Sequence, residues 1–220
     1  KGFGGHFHND NSFAVLRDIP GLIIACPSNG QDAVKMLRTC LRLADQERRI
    51  IAFLEPIALY MQKDLHQSQD QQWLSTYPDN NETISLGEIG IFNANPTSPC
   101  PIAIISYGNG YYLSRQAEKV LHDEHNIHVK IIDLRWLAPL NCDALIDAIF
   151  DTQQVLIVDE CRKTGSLSEH IISSILLNMN NPPEISALTV EDCFIPLGKA
   201  CHAISPSKED IISAVLSSMP

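Results

Sequence analysis

The chain has 220 residues, 45% of them hydrophobic, enough for one large domain or two small ones with real apolar cores. Its formal net charge is -10 and its 16 basic residues are scattered, which argues against nucleic acid and anionic membrane surfaces as partners. No apolar run approaches the roughly 20 residues that a membrane-spanning helix needs.

The opening run, KGFGGHFHND, is Gly-rich and begins at Lys1, and it reads as the middle of a longer chain. His6 and His8 fall on one side of an extended segment, with Asp10 near enough to orient one of them. Imidazole is the usual group for proton transfer near neutral pH. A metal would find no third ligand at suitable spacing, so no metal site is expected. From the residues alone, a surface His pair remains the plainer reading.

Residues 21–26 (GLIIAC) read as a strand leading into Pro27. Ser28 then opens a helix, with Gln31 completing a Ser-x-x-Gln capping box. Val34, Leu37, Leu41 and Ala44 follow at helical spacing and are expected to face inward. A second strand, 50–54, ends in Glu55-Pro56. Residues 62–99, rich in Gln, Asp, Asn, Ser and Pro, read as a linker or extended arm with a short strand near 89–93.

After the arm a new α/β unit begins. A strand at 102–106 runs into a Tyr107-Gly108-Asn109-Gly110 turn, and a helix over 113–121 follows. The Gly-rich turn invites a phosphate-loop reading, but it is not GxGxxG and no Walker lysine follows, so a structural turn is expected. Residues 129–132 make a strand, 134–141 a loop, and Ala144, Leu145, Ala148 and Ile149 one face of a short helix. An apolar strand over 154–158 ends in Asp159 and Glu160. Strand, helix, strand at this spacing is a βαβ unit of a parallel sheet. A helix at 167–177, a strand at 185–190 and a closing helix at 206–219 complete the domain. The fold class is α/β. By contrast, two strands and one or two helices in the first 61 residues do not cover a sheet.

The seven cysteines form no CxxC pair, and most sit in apolar strand or helix patterns. Free buried thiols in a reducing, cytoplasmic setting explain that best. Glu55, Asp159 and Glu160 end strands, where structural or interface roles outweigh catalysis; Arg162 and Lys163 are ready partners.

In series, these segments resemble one family. Phe7-His8-Asn9-Asp10-Asn11, Ile19-Pro20-Gly21-Leu22, Cys26-Pro27-Ser28 and Phe53-Leu54-Glu55-Pro56 with Tyr60 resemble the second half of the pyrimidine-binding domain of thiamine diphosphate-dependent 2-oxo acid dehydrogenases. SYGNG, DLRWLAPL, VLIVDECRKTG and Ile195-Pro196 resemble the transketolase-like C-terminal domain that follows it. The similarity is greatest to the E1 β subunit, or to the β half of a fused α–β chain. It implies an incomplete pyrimidine-binding α/β domain at 1–61, the arm at 62–99, and a transketolase C-terminal-like domain with a mostly parallel sheet at 100–220.

The resemblance carries chemistry with it. It implies decarboxylation of a 2-oxo acid, branched-chain or pyruvate, on thiamine diphosphate, followed by reductive acylation of a lipoyl group on an E2 dihydrolipoyl acyltransferase. His8 lies twelve residues before Pro20, as the family's catalytic histidine does, and inherits its role as proton donor and positioner. Asn9-Asp10-Asn11 stands where Ser-Gln-Ser is commoner, which leaves the substrate open.

The family's cofactor-polarising glutamate would lie upstream of Lys1. The Gly-Asp-Gly signature for Mg²⁺ and diphosphate belongs to the α half, and none occurs here. Thiamine diphosphate and Mg²⁺ are therefore expected only in the assembled enzyme, and the chain alone is expected to be inactive. Expected partners are an E1 α half, E2 and a second β half. Asp159, Glu160 and Arg162 are interface candidates, while Asp133, Arg135 and Pro139 shape a loop. The loop at 45–49 lacks the family's Asp-x-Asn-Pro pattern, so no monovalent cation is expected. Transketolase or deoxyxylulose-phosphate synthase, and a pure dimerisation and E2-docking module, are the alternatives.

Overall fold

In the computed structural model, residues 13–93 and 100–219 are described. The C-terminal part is organised by three strands whose residues are almost all buried: β4 (Ile102–Ser106), β5 (Val129–Asp133) and β7 (Gln154–Arg162). Such continuous apolar runs belong to parallel strands covered on both faces. β4 lies in the middle, parallel to β5 (Ile104 opposite Ile131) and to β7 (Ile104 opposite Leu156). β8 (Glu184–Val190) extends the sheet in parallel beyond β7, and β3 (Gly90–Phe92) closes the other edge antiparallel to β5. The order is β3-β5-β4-β7-β8, a mostly parallel sheet.

The pleat sends alternate side chains to opposite faces. Ile102, Ile104, Val129, Ile131, Leu156 and Val158 pack beneath α3 (Gly108–His125) and α6 (Lys208–Ser217). Ala103, Ile105, Ile132, Val155 and Ile157 pack under α4 (Cys142–Ile149) and α5 (Leu167–Asn178). The caps follow the sequence. Asn141 accepts the Ala144 N–H at the start of α4, and Ser207 with Asp210 makes a full capping box on α6. No helix among the described residues is long and apolar enough to cross a membrane.

The N-terminal part holds a one-turn helix, α1 (Ala14–Arg17), then β1 (Ile23–Ala25), α2 (Gly30–Glu47) and β2 (Ile51–Phe53). β1 and β2 pair in parallel, and the third strand of their sheet comes from the distant segment expected to be a loop. That strand is β6 (Trp136–Ala138), antiparallel to β1. Arg135, at φ 57, turns the chain out of β5 into β6. Trp136 is thereby buried with Ile23, Ala25, Met36, Cys40, Leu43 and, from the arm, Ile84. One small core thus draws on all three sequence regions.

Two further expectations change here. α2 is capped by Asn29, which accepts the Asp32 N–H, and not by Ser28. Its buried face is Met36, Cys40 and Leu43, whereas Leu37 and Leu41 are exposed. The arm is also fastened. Arg38 donates to the carbonyls of Pro78, Asp79 and Glu82, and Thr39 to that of Ile84 at 2.7 Å. Asp70 gathers the N–H groups of Leu65, His66, Gln67 and Gln72, and Trp73 sits edge-on to Tyr112.

Candidate functional site

From β4 the chain proceeds to β5 on one side and later to β7 on the other, so the strand order reverses at the carboxyl end of β4. Open α/β sheets bind ligands in the crevice at that point. Here the N-terminal part fills it. The Ser28 hydroxyl donates to Asp133 Oδ1 at 2.8 Å and accepts the Gly108 N–H at 2.8 Å. Cys26 N–H donates to the Arg135 carbonyl at 2.7 Å, and Arg135 Nε donates to Asp32 Oδ2 at 2.8 Å. Gly108 stands at φ 53, and a Cβ there would meet Pro56 at 3.2 Å and Cys26 Sγ at 3.4 Å, so glycine is what lets the two parts approach. The expected turn at 107–110 is in fact the start of α3, because Tyr107 is its N-cap residue.

The seam is dry. Burial pushes the Asp133 carboxyl up to about 7, with Ser28 and Arg135 pulling the other way. Its second oxygen has no hydrogen-bond partner among the described residues. Burial also drives the Cys26 thiol far up and that of Cys161 up to about 12, so neither is a thiolate nucleophile at neutral pH. All seven cysteines are free thiols. Tyr107, enclosed beside Asp159, is held well above the ordinary phenol range.

A cleft of about 390 Å³ opens where the seam reaches the surface, walled by Phe13, Leu54, Pro56, Tyr107, Asn109 and Glu160. Glu55 and Glu160 are the charged groups among its lining residues. A second cleft, of about 510 Å³, lies between the start of α2 and the arm, beside Tyr60 and Trp73.

The residues singled out in the sequence fall as follows. His8, like His6, lies outside the described residues. Asp159 and Glu160 do not end β7, because pairing continues to Arg162 opposite Val190. Asp159 is fully buried and accepts from Tyr107 Oη at 2.5 Å, Cys161 N at 2.9 Å and Ser168 N at 3.0 Å. Glu160 is half-buried on the cleft wall and accepts from Asn109 Nδ2 at 2.5 Å. Arg162 is half-buried, with its guanidinium over the Phe194 ring. Sequence reasoning missed the bridging role of Ser28, the Asp32–Arg135 pair and the Tyr107 hydroxyl. The hydroxyl of Ser28, displaced by one residue from the true cap, was the available signal. Among the described residues, no group of three or more His, Cys, Asp or Glu side chains could hold a metal ion.

Comparison with known proteins places this geometry. Residues 99–211 match the family described as transketolase, C-terminal domain. Over 219 residues, 96% of this chain, it is 25% identical to the pyruvate dehydrogenase E1 component subunit beta of Staphylococcus aureus. It is 23% identical to the same-named subunit of Bacillus subtilis over the same length. The chain spans 61% of each of those relatives. Among solved structures, a split-gene transketolase described as an inactive beta4 tetramer superposes with a TM-score of 0.67 at 15% identity. That match covers 93% of this chain and 59% of the other, and it is a likeness of fold.

Proposed function

This chain belongs to the transketolase C-terminal domain family, and we propose that it is the β half of the E1 component of a 2-oxo acid dehydrogenase. The observation that carries the reading is continuity. One alignment to an E1 β subunit runs through both parts and the arm, and in the fold those regions share the Trp136 core and the Ser28–Asp133 seam. On this reading residues 1–61 are the end of a pyrimidine-binding domain, 62–99 a fastened arm, and 100–220 the C-terminal domain.

The proposed chemistry is decarboxylation of a 2-oxo acid and reductive acylation of the lipoyl group of E2, with His8 as the proton donor. Thiamine diphosphate supplies the electron sink for that decarboxylation. The described residues do not fit its diphosphate and Mg²⁺. The crevice at the carboxyl end of β4 is filled by Cys26, Ser28 and Pro56, and the cleft beside it is lined by acids, which repel phosphate. The cofactor's charged end is therefore assigned to an α half, and a second β half and E2 are the further proposed partners. Glu160 and Arg162 remain proposed interface residues near the active-site entrance, and Asp159 supports them from beneath. Seven free thiols favour a reducing compartment, and the cytoplasm is the proposed setting.

Calorimetric titration of the chain with thiamine diphosphate and Mg²⁺, alone and with its α half, tests the assignment. Heat of binding is expected only with the α half. Tight binding to the chain alone would overturn it.

A further inference from the structure

We propose that His122 and His128 form a two-imidazole site for a first-row divalent cation of the Zn²⁺, Ni²⁺ or Cu²⁺ class, at the junction of α3 with β5. The inference goes beyond the E1 reading and stands apart from it. It begins in the local sequence, Leu121-His122-Asp123-Glu124-His125-Asn126-Ile127-His128. Asn126 takes the left-handed conformation at φ 55 and ends α3, and its N–H donates to the carbonyls of Leu121 and His122. Ile127 N–H then donates to the Leu121 carbonyl at 2.9 Å, and Ile127 packs onto the core that holds Leu121. This reversal carries the chain back over the last turn of α3 before β5 begins at Val129. His128 therefore meets His122, with ring centroids 4.9 Å apart at 66°.

The chemistry of the pair favours a metal. Asp123 Oδ1 lies 2.8 Å from His122 Nδ1, and its other oxygen accepts from Lys119 Nζ at 2.8 Å. A carboxylate only accepts, so Nδ1 carries the proton and the neutral ring presents its lone pair at Nε2. A carboxylate behind an imidazole is also how proteins orient a histidine ligand and strengthen it. Two imidazoles that share one ion through metal–nitrogen bonds of about 2.0–2.1 Å have centroids about 4.5–5 Å apart. The observed separation of 4.9 Å falls in that span. Both histidines are exposed, so an ion reaches them directly, and the broad terminal torsion of His128 lets its ring turn a lone pair toward the same point.

The surroundings suit a cation. The carboxyl end of α3 carries the negative pole of the helix dipole, and Asp123 and Glu124 add negative charge there. Among the described residues no third His, Cys, Asp or Glu completes a protein-only set, so water fills the other positions. The ion is therefore exchangeable. Imidazole also selects it, because Mg²⁺ and Ca²⁺ prefer oxygen ligands. A bound ion ties the end of α3 to the start of β5, two elements of the C-terminal sheet domain.

The test titrates this protein with Ni²⁺ by calorimetry and with Zn²⁺ by NMR of the histidine ring protons. A site is expected that is lost in His122→Ala and in His128→Ala, and weakened about tenfold in Asp123→Ala. The control is His202→Ala, an exposed position on another element, which is expected to retain it. The ring signals of His122 and His128 should shift together. At about a hundred times the dissociation constant, Zn²⁺ should raise the melting temperature by about 5–10 °C in the wild type and not in His128→Ala. Unchanged Ni²⁺ affinity and stoichiometry in both His variants would overturn the site. Equal binding of Mg²⁺ would overturn it too, by assigning the ion to the carboxylates alone, and so would an equal loss in His202→Ala, as unspecific binding. None of these variants touches a residue proposed for the E1 reaction, so every outcome leaves that reading as it stands.

Discussion

Replacing Asp133 by Asn removes a buried charge while keeping an acceptor for Ser28. Burial raises the carboxyl from 3.8 to about 7 in the folded chain. A carboxyl whose folded value is raised favours the native state below the unfolded pKa, and that contribution disappears as pH climbs through the folded one. Between pH 5 and pH 8 the wild-type chain should therefore lose about 2.5 kcal/mol from this group alone. The groups around it are the hydroxyl of Ser28, the guanidinium of Arg135, the carboxylate of Asp32, the thiol of Cys26 and the phenol of Tyr111. His66 and His170 act in the opposite direction. Burial lowers both below 6.5, so their contribution grows as pH rises through that range, equally in both proteins. In urea denaturation at pH 5 and pH 8, the Asn variant should thus gain on the wild type by about 1 M in midpoint at the higher pH. Midpoint-against-pH curves that run parallel for the two proteins would refute the reasoning.

Ser28→Ala should cost about 2–4 kcal/mol, because it strands the Gly108 N–H and leaves Asp133 without its donor. The melting temperature should fall by about 6–12 °C, and an unchanged melt would show that the seam bonds do not stabilise the fold. Gly110→Ala should destabilise by about 3 kcal/mol or more, since its Cβ would lie 2.3 Å from Ser106 Oγ, whereas Gly30→Ala meets nothing within 4 Å and should be tolerated. Denaturant midpoints of the two variants check the contrast.

The strongest parts of the fold were legible because their signals are local. β4, β5 and β7 are unbroken apolar runs, and the faces of α4 and α6 repeat at helical spacing. α2 misled for a physical reason. It carries two apolar stripes about 100° apart, Met36-Cys40-Leu43 and Leu37-Leu41-Ala44, and both satisfy the period. Only the docking of β6 and Trp136, a contact across about a hundred residues of sequence, selects the first. The extent of β7 was hidden in the same way. Charged residues normally mark the end of a buried strand, but Asp159 stays inside because three donors meet it. Tyr107-Gly108-Asn109-Gly110 looked like a turn because glycines usually break helices. Here they are the close-approach residues at a helix start, and only their neighbours Pro56, Cys26 and Ser106 reveal that. The seam depends on side chains from distant segments, so its presence had no local signature beyond the family-like order of the motifs.

The central claim is that this chain is one half of a 2-oxo acid decarboxylating enzyme. The direct measurement is thiamine diphosphate-dependent release of CO₂ from pyruvate and from branched-chain 2-oxo acids. It uses this protein, assayed alone and after mixing with its α half. Decarboxylation of one of these acids by the mixture, none by either half alone, and its loss in His8→Ala is the predicted result. Equal turnover by the chain without the α half, or none in the mixture with any of these acids, would contradict it.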